Sequence, residues 1–278
     1  MKSLCDVTVF NFTGVYESED FYKDIDDPRF IECRNIPGTD CLCDEEGEKE
    51  IRRRMEEAHT PINGIHFIDN GNYHYMSYVF TSYIKEFFHL IYFDNHPDLK
   101  PSMFGDILSC GSWVKKVLDT NTHVRKVIAA GVNGKLFEEI DVNDSKKVTL
   151  MSFCDEDEAA LEKENLTEEN VPLLNNSLAK EKTLADKLLD ELSDDLPIYI
   201  SIDKDVLAPD QLMTNWDQGT MKSETLISIV KRLLESKRVL GIDICGEVSH
   251  DTDCDRDKEI SRNNSFNREL LKGIIADQ

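Results

Sequence analysis

The segment Asp94-Asn95-His96-Pro97-Asp98 carries the residue types best suited to chemistry, and it directly follows the apolar run HLIYF. In an extended chain the side chains at positions i, i+2 and i+4 point to one side, so Asp94, His96 and Asp98 can converge. Two carboxylates and an imidazole form a mixed oxygen and nitrogen site that suits Mn, Fe, Co or Zn. The alternative is a polar turn after a strand, in which an aspartate acts as a cap.

A second pair of acids follows another apolar run, in Ser201-Ile202-Asp203-Lys204-Asp205. Two carboxylates at the end of a buried strand repel each other, and they stay ionised at low cost only when a cation lies between them. The spacing therefore predicts a cation site that includes Asp203 and Asp205. The alternative is a pair of surface acids, one of them neutralised by Lys204.

His74 belongs to a third segment, GNYHY at residues 71–75, between the strand-like run GIHFI and an apolar helix. The glycine permits a tight turn that would leave the histidine at the crevice, whereas a structural histidine is the alternative. The three segments together offer two His and four Asp. That set is enough for two divalent metals about 3.5 Å apart that share a solvent molecule.

In order and spacing, the three segments resemble the motifs of the arginase/agmatinase (ureohydrolase) superfamily, over roughly residues 64–250. That family carries a Gly-Gly-Asp-His-type turn, then Asp-x-His-x-Asp, then Ser-x-Asp-x-Asp. The resemblance implies two manganese ions with a bridging hydroxide, and a catalytic Asp98 that accepts a hydrogen bond from that hydroxide. It also implies that one ion is bound by His74, Asp94, Asp98 and Asp203, and the other by Asp94, His96, Asp203 and Asp205.

Two departures from the family pattern concern the histidine turn and proton transfer. The turn reads Gly-Asn-Tyr-His, without the second glycine and the acid. Cys110, in the segment SCGSW, occupies the place of a family histidine that acts in proton transfer. A thiol does not reproduce the proton shuttling of an imidazole near pH 7. His250 is a candidate to restore that function.

Three residues are candidates for substrate binding. The family has an acid after the strand that corresponds to residues 239–244, and Glu247 matches it, with Gly246 as a one-residue shift. The resemblance implies that Glu247 binds the cationic end of a substrate or supports catalysis, since a carboxylate suits a guanidinium or an amine. Trp216 and Asp217 lie in a loop expected to overhang the site, where an aromatic ring and an acid can hold a cation. A surface acid and plain loop packing are the alternatives.

These segments need a sheet that brings strand ends together, and the alternation of apolar runs with amphipathic stretches predicts one. We predict an α/β fold with three layers, α/β/α, around a mostly parallel, doubly wound sheet of about eight strands, in one domain over residues 1–278. Ligand sites in such sheets lie beyond the carboxyl ends of the strands. The predicted strands span residues 5–12, 64–68, 89–93, 126–130, 148–153, 198–202 and 239–244, and the predicted helices span residues 46–58, 75–87, 112–118, 135–140, 184–192, 224–234 and 267–275.

The composition narrows the choice of partners. The chain has 55 Asp plus Glu against 32 Lys plus Arg, a formal net charge of −23. Such a surface disfavours nucleic acid and anionic membranes, and it favours cationic ligands and divalent metals. The hydrophobic content of 40% suffices for a core. No run approaches the roughly 18–20 apolar residues of a membrane span.

The cysteines are scattered, as in a cytoplasmic protein with reduced thiols. Cys33, Cys41 and Cys43 lie near one another, but their spacing is not the repeated pair that favours zinc, so ordinary thiols are expected. The acidic stretch at residues 155–169 is expected to be a solvated loop or helix face.

The sequence therefore predicts a cytoplasmic dinuclear-metal hydrolase, with Mn²⁺, that cleaves a C–N bond of a small, cationic guanidino, amidino or amide substrate. One alternative on the same fold is a deacetylase-like amide hydrolase with a single catalytic metal. Another is a non-catalytic metal-binding or regulatory descendant, which the cysteine at position 110 motivates. Family members are often oligomers, so the resemblance leaves a homo-oligomer open.

Overall fold

A computed structural model describes residues 4–102, 105–141, 143–144, 146–152 and 183–276 of the chain. The acidic stretch at residues 155–169 lies outside the described residues. The strands, in chain order, are β1 (Val7–Asn11), β2 (Arg29–Glu32), β3 (Leu42–Cys43), β4 (Ile65–Phe67), β5 (Phe88–Phe93), β6 (Leu108–Ser109), β7 (Val124–Ala130), β8 (Val148–Met151), β9 (Ile198–Asp203) and β10 (Val239–Cys245).

Eight of these strands form one sheet in the order β2-β1-β4-β10-β9-β5-β7-β8, and every neighbouring pair is parallel. β3 and β6 form a separate antiparallel pair. Strands β5 and β9 are buried along their whole length, as expected for parallel strands covered on both faces. The predicted fold class, a parallel sheet of about eight strands within an α/β protein, is confirmed.

Helices cover both faces of the sheet, because successive strand residues point to opposite sides and create two apolar surfaces. The helices are α1 (Glu45–Glu57), α2 (Met76–Thr81), α3 (Trp113–Thr120), α4 (Leu184–Glu191), α5 (Ser223–Ser236) and α6 (Arg256–Ala276). On one face Ile200 shares an apolar cluster with Leu226 of α5 and with residues of α4 and α6. On the other face Tyr199 shares a cluster with Phe80 of α2, Trp113 of α3 and residues of α1.

Several element boundaries differ from the sequence prediction. The strands β2, β3 and β6 were not predicted, because each has at most four residues and lacks a continuous apolar run. Helix α2 ends at Thr81, where the hydroxyls of Thr81 and Ser82 donate to the carbonyls of Ser77 and Val79 and so compete with the helical pattern. Helix α6 begins at Arg256, in a polar stretch without helical apolar periodicity.

The sheet order places β4, β10, β9 and β5 side by side, so their carboxyl ends lie along one continuous edge. The segments that carry the predicted metal ligands follow β4, β5 and β9. Among the described helices, none combines the length and the apolar character needed to cross a membrane.

Candidate metal centre

The first group of site residues follows β5 in a turn. The backbone N–H of His96 donates to Oδ1 of Asp94 at 2.6 Å. Asp98 has a left-handed φ of 48°, which is uncommon for residues other than glycine. Its Oδ2 accepts a hydrogen bond from Nε1 of Trp113 at 2.6 Å. The three side chains therefore converge through a turn, and not through the extended chain that the spacing suggested.

The second group lies at the end of β9, the hydrogen-bonded neighbour of β5. Asp203 is the last residue of β9, and Asp205 lies in the short 3-10 turn that follows. Oδ2 of Asp205 lies 2.8 Å from Nδ1 of His96, and Oδ1 of Asp205 accepts from the backbone N–H of Asn95 at 2.9 Å. These contacts tie the two aspartate motifs to each other.

His74 reaches the same point from the loop after β4, at the end of the 3-10 turn Gly71–Tyr73. Its Nδ1 lies 3.2 Å from Oδ2 of Asp94, 3.2 Å from Oδ2 of Asp98 and 3.5 Å from Oδ2 of Asp203. Glycine is needed at position 71, because a Cβ there would lie 2.7 Å from the ring of Trp216.

The second ring nitrogen of His74 is held by a buried network. Nε2 lies 2.9 Å from the hydroxyl of Ser201. The hydroxyls of Ser201 and Ser77 each donate to Oδ1 of Asp243 at 2.8 Å. Because the proton of Ser201 goes to Asp243, the Ser201 oxygen accepts from Nε2–H. This network fixes the orientation of the ring, so that Nδ1 faces the carboxylates, as in metal-binding histidines whose second nitrogen has a hydrogen-bond partner.

The electrostatics of the centre favour a cation. Burial raises the pKa of Asp94, and the Asp98 carboxylate raises it further. Burial also raises the pKa of Asp203, and it raises the pKa of Asp205 to about 7, with the Asp94 charge adding to the shift. Burial alone would lower the pKa of His96, but the carboxylates of Asp205 and Asp94 raise it to about 12. The chain thus concentrates negative charge that a bound cation would stabilise.

The donor atoms fit two metal ions. Nδ1 of His74 and Oδ2 of Asp94 are buried and have no hydrogen-bond partner. One group of atoms within 4.8 Å of one another comes from His74, Asp94 and Asp98, and a second group comes from Asp94, His96 and Asp205. The two groups share Asp94, and each offers oxygen atoms with one imidazole nitrogen, a set that suits Mn, Fe, Co or Zn.

All six predicted ligands line one cavity of about 170 Å³, which suits a small molecule. Trp216, predicted to overhang the site, lines the cavity, and its Nε1 donates to Oδ1 of Asn72 at 3.0 Å. The rest of the wall is formed by Gly71, Pro97, Lys100, Cys110, Gly111 and Leu136.

Two predicted substrate residues lie elsewhere. Asp217 is exposed, and its backbone carbonyl accepts from Nδ2 of Asn95 at 2.9 Å. Glu247 is completely buried, and its carboxylate pairs with Nζ of Lys204. Glu247 therefore does not line the cavity in which the six predicted metal ligands lie, although a catalytic or substrate-binding role was expected for it. The structure corrects the alternative in which Lys204 neutralises a surface acid, because Lys204 is completely buried.

The one-residue shift to Gly246 does not supply an acid either. Gly246 has a φ of 96°, and a Cβ there would lie 2.7 Å from Oδ1 of Asp203. Neither Gly246 nor Glu247 therefore places in the cavity the acid that the family resemblance led us to expect after β10.

Cys110 and His250 differ in their access to the site. Cys110 lines the cavity, and its backbone N–H donates to the carbonyl of Cys41 at 3.0 Å. His250 is exposed, near Arg256, and it does not line the cavity. Within the described residues, Cys33, Cys41 and Cys43 do not form a group of metal-ligand atoms.

Sequence reasoning missed the residues that hold the ligands in place. Trp113 was visible only as an apolar residue in a predicted helix. Asp243 was visible only as an acid inside an apolar strand, a signal that usually marks a polar group with buried partners. Ser201 was part of the Ser-x-Asp-x-Asp motif, without a role of its own.

An eight-stranded parallel sheet with groups of candidate metal-ligating aspartates and histidines along its carboxyl edge is an arrangement typical of arginase-type α/β proteins. The model of the arginase family matches residues 17–261, and the chain belongs to that family.

The chain is also similar to individual proteins and solved structures. An uncharacterized protein of Thermotoga maritima is 27% identical over 241 residues, which cover 87% of this chain and 79% of that protein. Formimidoylglutamase from Bacillus subtilis has a TM-score of 0.62 at 15% identity, covering 96% of this chain and 86% of that one. Formiminoglutamase from Trypanosoma cruzi, solved with Mn²⁺, has a TM-score of 0.61 at 9% identity, covering 97% of this chain and 93% to 94% of that one. At these identities the two structures show a shared fold.

Proposed function

We propose that this protein is a dinuclear-metal hydrolase that cleaves a C–N bond in a small guanidino, amidino or amide compound. The observation that carries the proposal is the convergence of two groups of buried ligand atoms, which share Asp94, at the floor of a cavity. Within them Nδ1 of His74 and Oδ2 of Asp94 lie 3.2 Å apart, and neither atom makes a hydrogen bond. Membership of the arginase family supports hydrolysis as the reaction class.

The chain offers a ligand set for each ion. One ion would be held by His74, Asp94, Asp98 and Asp203, and the other by Asp94, His96, Asp203 and Asp205. When bound, such a pair of ions lowers the pKa of a shared water molecule and polarises the substrate. Mn²⁺ is the proposed metal, because the Trypanosoma cruzi formiminoglutamase of the same fold was solved with it.

Asp98 is the residue proposed to accept a proton from the attacking water. Its Oδ2 accepts a hydrogen bond from the indole N–H of Trp113 at 2.6 Å. This hydrogen bond holds the carboxylate in one orientation. A positioned acceptor of this kind contributes about 10²–10⁴-fold to the rate. Trp216 would cover the substrate and reduce its contact with bulk water, as a partly exposed ring at the cavity wall.

The cavity refines the expected substrate. Within the part of the chain that the structure describes, the cavity wall includes no acid beyond the four ligand aspartates, and it does include Lys100. We therefore propose recognition of a planar C–N group by the centre itself and by Trp216. For a cationic group on the substrate, the remaining support is the acidic surface of the chain and the exposed Asp217.

The test combines metal analysis with turnover. The protein is loaded with Mn²⁺, its metal content is measured, and release of urea or ammonia is followed over a panel of guanidino, amidino and amide compounds. We expect two ions per chain and turnover of at least one compound, with Asp98→Asn lowering kcat by about 10²-fold or more. A single ion per chain would contradict the proposal and favour the deacetylase-like alternative.

A non-catalytic descendant is the second candidate, and the thiol of Cys110 in the cavity wall favours it. Two bound ions without turnover of any compound in the panel would support that candidate. Cys110→His then provides a further test, because an imidazole at this wall could restore proton transfer near pH 7.

A further inference from the structure

Cys245, the last residue of β10, lies next to the metal centre. In the parallel pairing of β10 with β9, Cys245 is the register partner of Asp203. Register partners on neighbouring strands point to the same face of the sheet, so the thiol leaves the sheet beside a proposed metal ligand. Cys245 is completely buried, and its Sγ lies 3.1 Å from Oδ2 of Asp203.

The thiol completes a third group of potential ligand atoms. Atoms of His74, Asp203 and Cys245 lie within 4.8 Å of one another, and all three residues are buried. This group shares His74 with the group that contains Asp94 and Asp98. A second observation points to a ligand here: Nδ1 of His74 is buried, makes no hydrogen bond and faces the carboxylates, while Nε2 is held by Ser201.

The chain after Cys245 keeps the thiol at this position. Gly246 has a φ of 96°, a conformation that glycine adopts without strain. Its backbone N–H and that of Glu247 donate to the carbonyl of Asp69, at 3.0 and 3.2 Å. These two hydrogen bonds hold the turn in place, so that Cys245 stays at the carboxyl edge of the sheet, where the other candidate ligands lie.

We infer that Sγ of Cys245 is a further ligand of the metal ion held by His74 and Asp203, an inference that rests on the proposed metal centre. A coordinating thiol loses its proton when the ion binds. Thiolate ligands favour Zn²⁺ over Mn²⁺, whereas carboxylate and imidazole ligands accept both. The His74 position would thus accept Mn²⁺ but bind a metal that tolerates sulfur, such as Zn²⁺ or Co²⁺, more tightly, while the His96 position keeps an oxygen and nitrogen environment.

Cobalt provides a spectroscopic test that does not depend on activity. The wild-type protein and Cys245→Ser, Cys245→Ala and Cys43→Ser variants are titrated with Co²⁺ and followed by ultraviolet and visible absorption. Cys43 is another buried thiol and lies outside the groups of ligand atoms, so Cys43→Ser is the matched control. We expect a thiolate-to-cobalt charge-transfer band in the wild type and in the control, and its loss in both Cys245 variants.

A competition titration measures the consequence for metal choice. We expect the preference of the protein for Zn²⁺ over Mn²⁺ to fall about tenfold or more when Cys245 is replaced by Ser, a loss comparable to that of other changes near metal ligands. X-ray absorption of the zinc-loaded wild-type protein provides a test that does not depend on whether a variant folds. It should show a Zn–S distance of about 2.3 Å.

The outcomes separate the inference from the proposed function. Two bound ions without a charge-transfer band or a Zn–S distance would overturn the inference and leave the dinuclear centre standing. A band that persists in Cys245→Ser would overturn it as well. A wild-type protein that binds neither Co²⁺ nor Zn²⁺ would overturn both proposals.

Discussion

Lys204 and Glu247 form an ion pair in which both side chains are completely buried. The ammonium group also donates to Oδ1 of Asn263 at 2.6 Å and to Oδ1 of Asn267 at 3.3 Å. The ammonium therefore has three acceptors, as a buried ion requires, and Oε1 of Glu247 accepts a further hydrogen bond from Nδ2 of Asn267 at 2.8 Å. Lys204 follows β9 and Glu247 follows β10, so the pair lies next to the candidate metal centre. Glu247 was expected from the sequence to bind substrate, but its carboxylate is used in this buried ion pair.

We predict that Glu247→Ala lowers the free energy of unfolding by about 3–5 kcal/mol, because it leaves the Lys204 ammonium buried without its partner. Urea denaturation of the metal-free protein measures the change. The double variant Lys204→Met/Glu247→Leu serves as the control and should recover most of the loss. A Glu247→Ala variant with unchanged stability and a much higher KM would instead restore the substrate-binding role.

Glu19 should make stability depend on pH. Burial raises its pKa well above the ordinary value, the Glu247 charge adds to the rise, and its side chain hydrogen-bonds to Glu247. A carboxyl group with a raised pKa contributes stability below its unfolded pKa, and this contribution is lost as the pH rises through the folded pKa. We therefore predict that Glu19→Gln, which keeps a donor for Glu247 at every pH, is more stable than the wild type at pH 8.

The difference should be largest at pH 8, because the wild-type carboxyl group loses its proton as the pH rises through its raised pKa. It should shrink toward pH 5, where the wild-type carboxyl group binds its proton. Urea denaturation at the two pH values checks this, with the exposed Glu56→Gln as the control. A difference that is equal at both pH values would contradict the raised pKa of Glu19.

Metal binding should release protons in a pH-dependent number. His96 has a pKa of about 12 and Asp205 a pKa of about 7, and both must lose their protons to act as ligands. Because Asp205 is protonated at pH 6 and largely ionised at pH 8, we expect the number released to fall by about one between these values. Calorimetric titration with Mn²⁺ in buffers of different ionisation enthalpy measures it. In Asp205→Asn the fall should be smaller, because only the raised pKa values of Asp94 and Asp203 would still contribute to it.

Ser201→Ala should weaken metal binding without removing a ligand. The hydroxyl of Ser201 accepts from Nε2 of His74 and donates to Asp243, and loss of such a partner typically reduces metal affinity about 10–100-fold. Equilibrium dialysis with Mn²⁺ measures the affinity. The exposed serine variant Ser265→Ala is the control. Equal affinities for the two variants would show that His74 needs no fixed tautomer.

Much of the fold and of the ligand set was predictable because both depend on short-range patterns. Continuous apolar runs such as β5 and β9 indicate buried parallel strands, and polar residues that directly follow them lie at the carboxyl edge of the sheet. Asp94, His96, Asp203 and Asp205 could therefore be placed together from their positions in the chain. The short strands β2, β3 and β6 could not, because their partners and not their own residues define them.

The sequence by itself determined the parallel sheet, the edge where the site lies and the six residues that line its floor, since apolar periodicity and strand ends are local properties of the chain. Only the tertiary structure decided the use of Glu247, Cys245 and Asp98. Glu247 meets Lys204 because the turn at Gly246 directs its carboxylate into the interior. Cys245 meets Asp203 through the register of β9 and β10, and Asp98 is fixed by Trp113 from α3. Pairings between residues distant in sequence depend on strand order, register and burial, which no local pattern records.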